Sequence, residues 1–298
     1  MESTARVKLY VAISFLYNAE DWFRFATVNE SEANMEIIIK PDYPAVCDEA
    51  AGMILKAWKK KPNLVLGLAT GKTPLGLYEK LIALHRSGQM DFSEVVTFSL
   101  DEYYGLDESH PQSFAAYMDH HLYKHINIRP ENVHRLHGRP QDIEEHCRAY
   151  ERKIRSVGGI DIQVLGIGKN GHIGFNEPGS SLTSRTRLKA LTRETVEANA
   201  SLFTDEEEIP RFSLTMGIGT ILESKMILLL ASGEDKADIV ARAVEGPLTA
   251  FVPASILQLH PQAKFILDEE AAARLTLKDY YRWAFENKGR LSASKEKG

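Results

Sequence analysis

The sequence predicts an α/β fold, a doubly wound and mostly parallel sheet with helices on both faces in the Rossmann-like manner. Three observations predict it. Short apolar, β-branched runs recur along the chain, segments with helical spacing alternate with them, and four of the runs end in chemically unusual loops. Strands buried on both faces read as continuous apolar stretches, and strand–helix alternation stacks them in parallel. In open sheets of this kind a ligand sits beyond the carboxyl ends of the strands, so the site is expected where those loops converge.

The apolar runs lie at 36–39, 64–68, 95–100, 160–166, 226–230 and 263–267, with helical spacing at 74–85 and 143–156. They fall within one domain over 35–290, preceded by an extension at 1–34 and followed by a flexible tail at 291–298. The apolar patch at 9–17 runs into Asp21 and Arg24 without a small-residue cleavage site, so it reads as extension rather than leader. With 298 residues, 44% of them hydrophobic and 26% charged, the chain is long enough to bury a full core. A net charge of -5 and a pI near 6.1 exclude general attraction to nucleic acid or anionic membrane, and no apolar stretch reaches membrane-spanning length. Only Cys47 and Cys147 occur, which argues against a disulfide framework and for a reducing cytoplasm.

The segment LVLGLATGKTPLGLY at 64–78 reads as a strand, a small-residue turn and a helix, with Thr73 as N-cap and Pro74 at the first helical position. Backbone N–H groups of Gly71, Lys72 and Thr73 would then face an anion. With the Thr70 and Thr73 hydroxyls they make a phosphate cradle that needs no metal. A Walker A loop is the competing reading, because Gly71-Lys72-Thr73 copies its end and Asp101-Glu102 follows the next strand. The motif, however, requires glycine at 66, where Leu66 stands. An ordinary helix cap accounts for Thr73 and Pro74 but not for Gly71-Lys72.

The run 160–166 leads into LGIGKNGHIGFNEPG at 165–179. Gly166, Gly168 and Gly171 match a GxGxxG spacing, yet Pro178 arrives where a dinucleotide-binding helix should still be running. A loop presenting His172, Asn176 and Glu177 fits better, with Glu177 close enough to hold one ring nitrogen of a proton-shuttling imidazole. Asp101 follows an apolar run directly, so it is expected at the sheet rim, partly desolvated, with the raised pKa of a general base. A solvated loop acid and a histidine satisfied by backbone carbonyls are the plainer alternatives. His121 and His125 share a helix face beside His120, but no third ligand of suitable spacing follows, so no metal is expected.

These residues bring a family into view. Through ATGKTPLGLYEKL, FSLDEYYGL, HPQSFAAYM, LGIGKNGHIGFNEPGSS, SRTRLKALT, TMGIGTIL, SGEDKA and LQLHP, over about 35–273, the chain resembles glucosamine-6-phosphate deaminases. The string FNEPG after GxxGHI separates that family from the 6-phosphogluconolactonases. The resemblance implies conversion of glucosamine 6-phosphate and water to fructose 6-phosphate and ammonia by a homo-oligomer, with no cofactor. It assigns Asp101 to proton transfer between C2 and C1, His172 to ring opening and Glu177 to orienting the imidazole. It also assigns Gly71, Thr73 and Lys236 to the phosphate.

Three positions depart from the family. Asn170 stands where some members have Asp, which implies a less basic His172. Ser201 or Leu202 stands where a phosphate-binding arginine is usual, with Lys72 as the candidate to restore its charge. Ser180, Arg187 and Lys189 match an effector site in hexameric relatives, but the extension at 1–34 would displace the N-terminus that completes it. Two other readings stay open on the residues alone, a lactonase for phosphorylated sugar acids and a non-catalytic sugar-phosphate sensor. The triad Asp101, His172 and Glu177 opposes the sensor, whereas the missing arginine and Asn170 favour it.

Overall fold

The computed structural model describes residues 35–203 and 209–295; the extension expected at 1–34 lies outside them. In chain order the described elements are β1 (Glu36–Lys40), α1 (Tyr43–Lys60), β2 (Val65–Leu68), α2 (Leu75–Arg86), β3 (Val96–Ser99), β4 (Asp101–Tyr103), α3 (Phe114–His121), β5 (Val133–His134), α4 (Ile143–Ser156), β6 (Ile162–Leu165), β7 (Arg187–Ala190), α5 (Arg193–Asn199), β8 (Phe212–Thr215), α6 (Ile218–Leu222), β9 (Met226–Ala231), α7 (Ala237–Val244), β10 (Ala263–Asp268) and α8 (Lys278–Lys295). The last helix therefore runs past residue 290, where composition set the start of the tail, and residues 296–298 lie outside those described.

All six apolar runs are strands of one parallel sheet, ordered β1-β10-β9-β6-β2-β3-β5. Alternate residues of each strand enter opposite layers. In β9, Ile227 and Leu229 join a core with Phe98, Leu165 and Phe265, whereas Leu228 and Leu230 join Ile38, Leu66, Tyr78 and Val164 on the other face. Two dry layers require helices on both sides, which is the doubly wound arrangement. Local chemistry starts those helices. Asp42 accepts the Ala45 N–H at the head of α1 and Asp142 the Glu145 N–H at the head of α4, both at 2.9 Å.

The chain passes from β2 outward to β3 and β5, then returns to the other flank of β2 as β6 and continues through β9 to β10. Loops leaving β2 and β6 therefore part in opposite directions, and the topology puts the ligand crevice of such a sheet between them at the carboxyl edge.

A second, antiparallel sheet of order β4-β8-β7 was not foreseen from the sequence. The run at 95–100 ends one strand, and Asp101 starts another in the second sheet instead of standing in a strand-end loop. Strands of three and four residues with charges at Arg187 and Lys189 carry too little periodicity to be read. Glu151 of α4 fastens this sheet to the first. It accepts the Thr186 N–H at 2.9 Å, the Thr186 hydroxyl at 2.6 Å and the Thr220 hydroxyl at 2.5 Å, and it pairs with Arg185 at 2.7 Å. Burial alone would raise its carboxyl, but these donors hold it below the usual range.

Glu151→Ala would leave those donors unpaired in a buried position. It is expected to lower unfolding free energy by about 3 kcal/mol, measured by urea denaturation; a loss below about 1 kcal/mol would show that the sheets dock without it.

Candidate active site

The turn after β2 forms one wall of the crevice. Its helix begins one residue later than expected: α2 starts at Leu75 with Pro74 in the cap position and no side-chain cap. Thr73 is thus not the N-cap, a correction with a clear cause. The hydroxyl of Tyr43, the first residue of α1, accepts the Gly76 N–H at 2.8 Å and takes over the capping bond. Thr70 and Thr73 are half-buried beside the turn, and Gly71 and Lys72 are exposed at its tip. The Lys72 ammonium makes no ion pair with the described residues.

The loop after β6 forms the opposite wall. No helix follows Gly171, so the loop reading holds over the dinucleotide fingerprint. The Asn170 side chain orders this loop by accepting the His172 N–H at 3.1 Å and donating to Glu177 Oε2 at 2.8 Å. His172 Nδ1 lies 3.5 Å from the same Glu177 oxygen, and the imidazole keeps about a fifth of its surface exposed. A Cβ on Gly168 would sit 2.2 Å from the ring, so only glycine leaves room for it. Asn176 is fully buried, donating to Ile173 O and Met216 O and accepting from Arg187.

Asp101 meets this loop through β8. Asp101 pairs with Thr215, whose hydroxyl accepts the Phe175 N–H at 3.1 Å, and Met216 N–H donates to Leu100 O at 2.8 Å. On the same strand, the Tyr103 ring lies 5.5 Å from Phe175, whose ring is 6.3 Å from His172. The neighbouring Glu102 turns the other way and accepts the Phe114 and Ala115 N–H groups at the head of α3.

Environment drives the two acids apart. Burial, with Glu102 beside it, pushes the Asp101 carboxyl up to about 8, and no described residue donates to it. Burial would also raise Glu177, but the neighbouring His172 imidazole, the Thr195 hydroxyl and the Asn170 amide, the last by a 2.8 Å hydrogen bond, hold it at about 2. The contribution of α5 through Thr195 was not read from the sequence, because a threonine in a short polar helix carries no local sign of its partner.

A third wall comes from the turn after β9. Lys236 is half-buried and donates from Nζ to Ile167 O at 3.0 Å, reaching across the end of β6. Burial lowers its pKa, with Asp235 opposing and Lys169 adding to the shift. The family-matched Arg187 is half-buried and donates to Asn176 Oδ1 at 2.9 Å. Ser180 is buried with an unpartnered hydroxyl, and Lys189 is half-buried on β7. Among the described residues no group of three or more His, Cys, Asp or Glu side chains is placed to hold a metal ion, and no helix is long and apolar enough to cross a membrane. A groove of about 660 Å³ opens elsewhere, beyond β5, between Tyr123, Arg135, His146 and Lys153. Arg135 there is already paired with Asp119, and His137 with Glu108.

Comparison with known proteins gives the family. The family model described as glucosamine-6-phosphate isomerases/6-phosphogluconolactonase matches residues 43–266. Glucosamine-6-phosphate deaminase of Thermoanaerobacter pseudethanolicus is 49% identical over 245 residues, covering 82% of this chain and 97% of that one. The deaminase of Shewanella loihica is 52% identical over 248 residues, covering 83% and 92%. Among solved structures, a monomeric glucosamine-6-phosphate deaminase superposes with a TM-score of 0.78 at 44% identity, covering 80% of this chain and all of that one. A 6-phosphogluconolactonase from Thermotoga maritima, at 22% identity and a TM-score of 0.64 over 79% of this chain and all of its own, shares the fold.

The raised Asp101 pKa has a stability consequence. Between about pH 4 and pH 8 the unfolded chain has lost this proton while the folded chain keeps it, so stability falls as pH rises and levels off above 8. Asp101→Asn removes that dependence. The variant should gain on the parent by up to about 1.4 kcal/mol per pH unit across this window in urea titrations; a constant difference would mean that the carboxyl ionises normally.

Proposed function

The chain belongs to the glucosamine-6-phosphate isomerase/6-phosphogluconolactonase family, and from that premise we propose that it is an amino-sugar phosphate deaminase-isomerase converting glucosamine 6-phosphate and water to fructose 6-phosphate and ammonia. One observation carries the reading. Asp101 and the His172–Glu177 loop are joined through Thr215 beside the crevice where the turn after β2 offers its amides. A hexose phosphate spans such a space, with its anionic tail on the amides of 71–73 and Lys236 and its reacting carbons toward Asp101.

His172, aligned by Glu177, carries the proton from the C1 hydroxyl to the ring oxygen and opens the pyranose. Asp101 then takes the C2 proton to give an enolamine and returns it to C1. Water adds at C2 of the resulting imine and ammonia leaves. Oxidation at C2 balances reduction at C1 within one molecule, so no redox partner is consumed. One carboxylate could not serve both steps, because the ring oxygen and C2 need groups on different sides. The opposed pKa values suit the division: Glu177 stays ionised to support an imidazolium, and Asp101 is poised near the working pH. The same proposal includes the cytoplasm and a homo-oligomer; a monomeric deaminase of this fold exists, so the mass in solution decides the latter.

Purified protein should release ammonia from glucosamine 6-phosphate, with kcat/KM rising toward a break near pH 8. Asp101→Asn should lower kcat by about 10²- to 10⁴-fold and abolish that limb. Turnover unchanged in the variant would remove Asp101 from the reaction. Lys72, exposed at the tip of the cradle, is proposed to stand in for the absent arginine. Lys72→Ser should then raise KM about tenfold with kcat retained, as expected for one charged hydrogen bond to phosphate; an unchanged KM removes Lys72 from that role.

A further inference from the structure

Three phenols from three helices tie back the carbonyls of the turn after β2. Tyr78 of α2 donates to Ala69 O, Tyr117 of α3 to Gly71 O at 2.6 Å, and Tyr43 of α1 to Thr73 O at 2.8 Å. The bound carbonyls are those of 69, 71 and 73, with Lys72 O a longer second acceptor of Tyr43 at 3.3 Å. Two of these bonds lie outside the glycine-rich motif, since Tyr43 and Tyr117 are 30 and 46 residues from their acceptors.

A peptide unit presents its N–H and its carbonyl in opposite directions. A turn that offers N–H groups to an anion must therefore keep its carbonyls turned away, or their dipoles oppose the charge. This turn is poorly constrained by itself. Gly71 has a φ of 105° and open space where a Cβ would stand, so its peptides can flip at little steric cost. Hydroxyls on the carbonyls of 69, 71 and 73 remove that freedom. All three phenols remain donors at working pH, because burial raises the pKa of each, Tyr43 to about 12. Tyr43 does more, holding the Gly76 N–H on its oxygen and thereby fixing where α2 starts.

We propose that Tyr43 and Tyr117 are positioning residues for phosphate recognition, clamping the 70–73 peptides with their N–H groups toward the crevice. The inference rests on the reading of this turn as the phosphate site. A preorganised amide cradle needs fewer cations, which fits a site whose usual arginine is replaced at 201–202.

The test uses Tyr43→Phe, Tyr117→Phe and the double variant, which keep the rings and delete only the hydroxyls. Inorganic phosphate is titrated calorimetrically, and glucosamine 6-phosphate kinetics are run alongside. The clamp predicts that the phosphate Kd and the KM rise together, by about three- to tenfold for each hydroxyl lost, with kcat within about twofold of the parent. Parental values of both in the double variant overturn it, as does a fall in kcat with Kd and KM unmoved. Should the parent bind phosphate but release no ammonia, the deaminase reading fails while the titrations still judge the clamp. A parent that binds no phosphate overturns both.

Discussion

The hydroxyl of Thr215 is the junction on which the rest of the site depends. It accepts the Phe175 N–H while its backbone pairs with Asp101, so the strand bearing one proposed catalytic group and the loop bearing the others are held on a single residue. Met216 repeats the link one residue on, donating to Leu100 and accepting from Asn176. Because the second sheet carries this junction, its docking through Glu151 sets the position of the chemistry.

Around that junction the fold uses one physical effect in two directions. Asp101 and Glu177 are both buried, and burial penalises both charges. Glu177 alone is met by stabilising groups, the His172 imidazole and Thr195 hydroxyl beside it and the donating Asn170 amide and Thr192 N–H, so its carboxyl is held low while that of Asp101 is pushed up to about 8. Two chemically alike side chains are thereby suited to the unlike roles proposed for them, one as partner of an imidazole and one as a base near its working pH. In the proposed complex the anionic end of the substrate is met differently, by backbone amides whose carbonyls are tied down and by the half-buried Lys236.

Much of this was legible in the sequence where signals are local. Buried parallel strands advertise themselves as unbroken apolar runs, so 226–230 and 263–267 were readable without knowledge of their partners. The loop after β6 was legible because Pro178 forbids the helix that its glycines would otherwise suggest. What stayed hidden is long-range. The strand Asp101–Tyr103 is too short to show a period, and its partners lie more than a hundred residues away. The cap of α2 was misassigned to Thr73 because a tyrosine from another helix supplies the hydroxyl, and no reading of 64–78 could contain it. Thr195 and Tyr117 were overlooked for the same reason.

A structure of the protein with fructose 6-phosphate bound tests the central claim most directly. The account predicts the phosphate within hydrogen-bond distance of the amides at 71–73 and of Lys236, with C1 and C2 against the Asp101 carboxyl and His172 on the far side of the sugar. Finding the phosphate in another groove, or Asp101 and His172 opening onto separate cavities with only one touching the sugar, would contradict it.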